Sequence, residues 1–236
     1  PASAARAPSS SVSLPAPEGP TTATSLPIGD IDLLPCACAN SGPSSPKGRA
    51  MFTTRPEIAG TFGAVASTHW IASGVGMAVL ERGGNAFDAA AAAGFTLQVV
   101  EPHLNGPGGD CPIILHSARL DAQQVICGQG PAPRAMTVAR LRGELGLDIV
   151  PGTGFLCAPI PGAFDAWALM LRDHGTWRLR DVLEYAIGYA RNGAHVVPRV
   201  SATIETVRPL FESAWPSSHS LWRHNAATVP GGLYTN

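Results

Sequence analysis

Apolar side chains recur at Leu179, Val182, Leu183, Ala186, Ile187 and Ala190, the spacing of a helix with one buried face. The pattern predicts a helix over 179–191, closed by Asn192-Gly193. Ile71, Val75, Ala78 and Val79 mark the inner side of another helix over 68–82. Ser67 or Thr68 is its expected cap, and Gly83 its stop. Between Ala86 and Val100 the pattern changes: Asp88 is the sole charge, and only Thr96 and Gln98 are otherwise polar. A helix apolar on every side is a buried one. Asn85 stands where its N-cap belongs, with Asp88 placed to reach back as a capping box. Pro102 ends it, because the residue before a proline is pushed out of helical geometry. Further helices are predicted over 137–145, 163–173 and 199–213, the first capped by Thr137. Phe62–Ala66 reads as a first strand. Pro112–His116 and Gln124–Cys127 read as a hairpin turning at Leu120–Gln123. Strands beside packed helices make an α+β fold.

The first fifty residues break this rhythm. Pro, Ser and Ala supply more than half of them, and none is aromatic. Such a segment buries too little to offset its chain entropy. Residues 1–52 are therefore expected to be a disordered extension preceding a domain over 53–236. Either Met51 is the native start or 1–50 is dispensable. The head lacks a basic stretch leading into an apolar one, so it does not read as a signal peptide.

Composition then limits the chemistry. The chain is 45% hydrophobic with a formal net charge of −1, and Lys47 is its sole lysine. Without a basic excess, nucleic acid is not an expected partner. No apolar run reaches membrane-spanning length, so no membrane partner is expected either, and a cytoplasmic location is the expectation. Cys36 and Cys38 form C-x-C without partner cysteines or histidines nearby. Cys111, Cys127 and Cys157 are read as buried free thiols. His69, in the first turn of a helix, is read as structural rather than catalytic. His219, Trp222 and His224 are read as surface, with no metal signature.

The loop Asn105-Gly106-Pro107-Gly108-Gly109 leaves bare backbone that can meet an anion or an oxyanion. Together with the helix before it, ERGGNAFDAAAAAGFTLQVVEPHLNGPGGD resembles the signature of the γ-glutamyltransferase family: a GGNA-D-AA helix, then a V-EP-x-x-x-G-x-GG loop. The resemblance runs from about Thr53 to the end. It implies an N-terminal-nucleophile hydrolase, made as a precursor that cuts itself and exposes a threonine. That threonine attacks γ-glutamyl amides such as glutathione. The implied complete fold is a four-layer αββα sandwich, of which this chain is the helix-rich N-terminal portion. No cofactor and no metal are implied. The implied partners are the small subunit of the same precursor and a small-molecule amide.

One stretch departs from the family. Cys127-Gly128-Gln129-Gly130-Pro131-Ala132-Pro133-Arg134-Ala135 lies where the family resembles R-E-T-A-P-A-K-A. The family's arginine grips the substrate's α-carboxylate, a role suited to a planar bidentate fork. Laid on that motif, Gly128 stands at the arginine, Gln129 at the glutamate and Arg134 at the lysine. Gln129 and Arg134 are therefore the candidate substrate-binding residues, with a plain surface role for Arg134 as the alternative. Ile160-Pro161-Gly162-Ala163 resembles the family's V-P-G-x-V-x-G segment.

The family's nucleophile lies in a D-T-T-H-like segment, which this sequence does not contain. No catalytic residue is thus expected within the chain. Three readings follow: the N-terminal part of a γ-glutamyltransferase-like precursor, an acylase acting on other amides such as glutaryl groups, or a truncated non-catalytic product.

Overall fold

The computed structural model describes residues 60–224 and 230–235. The predicted extension over 1–52 lies outside the described residues.

Helices α1 (Trp70–Glu81) and α2 (Ala86–Val100) form an antiparallel pair joined by a glycine turn, Gly83 at φ 90°. The hairpin β1 (Ile113–Ser117) and β2 (Ala122–Ile126) follows. Its register sets Ile113 opposite Ile126 and Ile114 opposite Val125. Then come α3 (Ala163–His174), α4 (Leu179–Val182), α5 (Glu184–Asn192), β3 (Ala194–His195), α6 (Pro198–Ala214), α7 (Pro216–His224) and β4 (Leu233–Tyr234). The short strands β3 and β4 pair antiparallel. The described residues are thus α+β, helix-rich, with two two-stranded sheets.

The apolar helix α2 is the centre, as its composition predicts. Ala89, Ala91, Ala92 and Phe95 pack with Val75 and Val79 of α1, Leu115 of β1, Met170 and Leu171 of α3, Val182 of α4 and Ala186 of α5. Small residues let neighbours come close. A methyl group on Gly94 would lie 2.6 Å from the Trp167 indole, so that ring needs a glycine beneath it.

The capping box is present. The Asn85 side chain accepts from the Phe87 and Asp88 amides at 2.9 and 3.0 Å, and Asp88 accepts from the Asn85 amide at 2.9 Å. Both residues also reach across to the end of α3. Asn85 Nδ2 donates to the His174 carbonyl at 2.7 Å. Asp88, wholly buried, accepts from the Thr176 and Trp177 amides and from the Thr176 hydroxyl.

Several expectations need correction. Phe62–Ala66 is not a strand: it pairs with no other strand among the described residues, and Val65 instead lies against Gly76 of α1. The helix predicted over 137–145 starts on its Thr137 cap but widens into a π-turn over Arg140–Glu144, where the Leu145 amide donates to the Arg140 carbonyl. None of its five π-turn residues is buried, so no packed face holds a regular helix there. The stretch 179–191 breaks at Leu183, and Ile187, placed on its inner stripe, is exposed. Cys127 and Cys157 are exposed and Cys111 is half-buried, rather than three buried thiols. The tail is not plain surface: Trp222 stacks on Tyr234 at 5.3 Å and packs beside Val196, Val200 and Ile204.

Candidate active-site loops

Three segments meet at the open end of the β1–β2 hairpin. The Cys111 amide donates to the Gly128 carbonyl at 3.0 Å, which closes the hairpin base. The Ile160 amide donates to the Pro131 carbonyl at 3.0 Å, tying the second segment to the third. The amides of Gly162 and Ala163 both donate to the Gly109 carbonyl, at 3.2 and 3.0 Å. Helix α3 has no side-chain cap, so this carbonyl satisfies its first free amides. The glycine-rich loop thereby becomes part of the helix end.

The crossing is made of bare backbone. A methyl group on Gly128 would lie 2.4 Å from the Cys111 carbonyl oxygen and 2.5 Å from Ala166 Cβ. On Gly162 it would lie 2.5 Å from the Gly128 oxygen, and on Gly130, at φ 60°, 1.7 Å from the Ile160 oxygen. Position 128 has no room for an arginine as this backbone runs. The local path excludes any side chain at this position.

Gln129 sits between these two glycines and is exposed, with the Cys127 thiol 3.8 Å from its Oε1. Arg134 is also exposed and makes no ion pair among the described residues. A groove of about 430 Å³ runs beside the crossing, lined by Cys111–His116, Phe87, Trp167 and Met170. Its size suits a small molecule, but neither Gln129 nor Arg134 lines it. In the Asn105–Gly109 loop the Gly109 amide is taken by the Gly106 carbonyl at 3.1 Å. The Gly106 and Gly108 amides have no partner among the described residues.

Burial, helped by the neighbouring Asp110 charge, pushes the Cys111 thiol above its ordinary range, so it is a poor thiolate nucleophile here. No group of three or more His, Cys, Asp or Glu among the described residues is placed to hold a metal. No helix among them is long and apolar enough to cross a membrane.

A second polar cluster was not legible in the sequence. The Thr68 hydroxyl donates to Glu101 Oε2, and Glu101 is buried at the C-terminal end of α2. His69 and His103 flank it, both with imidazoles held below the ordinary range, mainly by burial and against the Glu101 charge. Arg199 pushes His103 the same way as burial does. His69 was expected to be structural, and its side chain, rather than that of Ser67 or Thr68 as predicted, is the N-cap of α1. No motif spacing links positions 68, 101 and 199; the antiparallel return of α2 brings Glu101 back to Thr68, and Arg199 comes from the first turn of α6.

Residues 72–235 match the family described as Gamma-glutamyltranspeptidase, and the chain belongs to that family. Among curated relatives, it is 35% identical over 175 residues to the glutathione hydrolase-like YwrD proenzyme of Bacillus subtilis (strain 168), covering 74% of this chain and 33% of the relative. It is 36% identical over 155 residues to the acylase ACY 1 proenzyme of Pseudomonas sp. (strain SE83), covering 61% and 27%. Among solved structures, LmbA2991HD superposes with a TM-score of 0.73 at 56% identity, over 79% of this chain and 32% of that one. The chain thus spans about a third or less of the length of each.

Proposed function

We propose that this chain is the N-terminal segment of a γ-glutamyltranspeptidase-type proenzyme. The complete protein would transfer or hydrolyse γ-glutamyl amides of the glutathione type through an N-terminal threonine outside this chain. The remaining part of the precursor is its partner and completes the αββα sandwich. An N-terminal threonine is activated by its own α-amine, which exists only after the chain is cut. The role of this segment would then be to shape the substrate pocket and not to supply the nucleophile. The observation that carries the reading is the joining of three family-like loops at one point, with Gly109 capping α3 and Gly128 closing the hairpin.

The crowded backbone at Gly128 favours a second reading of the substrate, an acylase acting on groups such as glutaryl. Without the arginine, a γ-glutamyl α-carboxylate loses a charge-assisted pair of about 2–5 kcal/mol. That is roughly 30-fold to several thousand-fold in affinity or rate. The relative named an acylase proenzyme supports this reading. The test is to assay the complete precursor on γ-glutamyl and glutaryl 4-nitroanilides. A higher kcat/KM for glutaryl supports the acylase. Strong γ-glutamyl turnover that falls on Gln129→Ala or Arg134→Ala shows that these residues hold the carboxylate instead.

A further inference from the structure

The first turn of α1 is held by an imidazole. The Ile71 amide donates to His69 Nδ1 at 3.2 Å, and His69 is only 4% exposed. Accepting at Nδ1 places the proton on Nε2, which is buried with no partner among the described residues. The backbone around it is tied as well. The Ser73 amide and the Ser67 hydroxyl both donate to the His69 carbonyl, at 3.1 and 2.8 Å. Beside it, Thr68 is bonded to buried Glu101, so residues 67–69 fasten the start of α1 to the end of α2.

Ser, Thr, Asp and Asn are the usual residues at this position, and none of them changes its capping ability near neutral pH. Histidine does. We propose that His69 is a proton-released cap: neutral, it holds the first turn of α1, and protonated, it lets that turn go. A protonated ring has donors on both nitrogens and cannot accept from the Ile71 amide. It also sets a positive charge against the positive end of the helix. The charge facing His69 is Glu101, which favours the imidazolium, and beyond Glu101 lie His103 and Arg199. Burial outweighs Glu101, so the ring titrates below its ordinary value of 6.5. The sign follows: the cap's contribution is complete above pH 6.5 and is lost as pH falls from there through the lowered folded value. This device does not depend on the proposed function.

The test uses the full chain and hydrogen–deuterium exchange of the segment 70–75 at pH 7.5 and 5.5, corrected for intrinsic exchange. His69→Asn and His69→Ser both keep a capping oxygen that does not titrate in this range. In the unmodified chain, protection of this segment should fall a few-fold, up to the one-proton limit of about tenfold, at pH 5.5 relative to that of 89–95 in α2. Both variants should match the unmodified chain at pH 7.5 and keep their protection at pH 5.5. Equal loss in the variants, or no loss in the unmodified chain, would overturn the proposal. If one variant does not fold, the other gives the same reading.

Discussion

The Asp88 carboxylate accepts the Thr176 hydroxyl at 2.6 Å, across 88 residues of chain. From the sequence, Asp88 is a capping-box residue for α2. In the structure it also anchors the loop that leads from α3 into α4. One wholly buried charge therefore orients three helices, and its bonds to the Asn85, Thr176 and Trp177 amides replace the water it has lost.

Removing it leaves several buried donors without an acceptor. Asp88→Ala should lower stability by about 3–5 kcal/mol, since each buried donor left unsatisfied costs about 1–3 kcal/mol. Thr176→Val should cost about 1–2 kcal/mol. Chemical denaturation of both variants and of the double variant measures this. The double should cost less than the sum of the two singles, because the partners touch. Strict additivity would show that the bond contributes nothing of its own.

The glycine crossing makes a contrast within one residue type. Gly128→Ala and Gly162→Ala insert a methyl group against backbone and should destabilise by about 1–3 kcal/mol. Gly188, inside α5, has nothing within 4 Å of a methyl group, so Gly188→Ala should stabilise by about 0.5–1 kcal/mol. Melting temperatures of the three variants check the order. A tolerated Gly128→Ala would mean that the loops are not locked as described.

The hairpin leaves an apolar pair on its outer face. Ile114 is 80% exposed and its register partner Val125 is 55% exposed, while Leu115 faces α2. Patches of this kind drive association. The 236-residue chain alone should self-associate, and Ile114→Lys with Val125→Lys should reduce this, as read by light scattering. A unmodified chain that stays monomeric at high concentration would contradict the expectation.

Much of the fold was legible because its signals are local. The apolar run of α2, the Asn85–Asp88 box and the proline and glycine stops are all written in neighbouring residues and form as predicted, whereas the cap of α1 falls on His69 instead of Ser67 or Thr68. What was illegible depends on partners distant in sequence. Phe62–Ala66 has strand-like composition but lacks a neighbouring strand among the described residues. Thr137–Leu145 has an amphipathic pattern but no surface to pack on. Trp222 finds Tyr234 only because β4 returns to β3. At the candidate site, the sequence shows a glycine at position 128. That Gly128 has no space for a side chain could not be read there, since the obstruction comes from Cys111 and Ala166.

The most direct measurement is the intact mass and N-terminal sequence of the complete precursor after purification, paired with its anilide activity. Two chains are expected, the second beginning with threonine. Activity should appear with cleavage and be absent from the 236-residue chain alone. A single uncut chain with full activity, or an active isolated 236-residue chain, would contradict the assignment of the nucleophile to a threonine outside this segment.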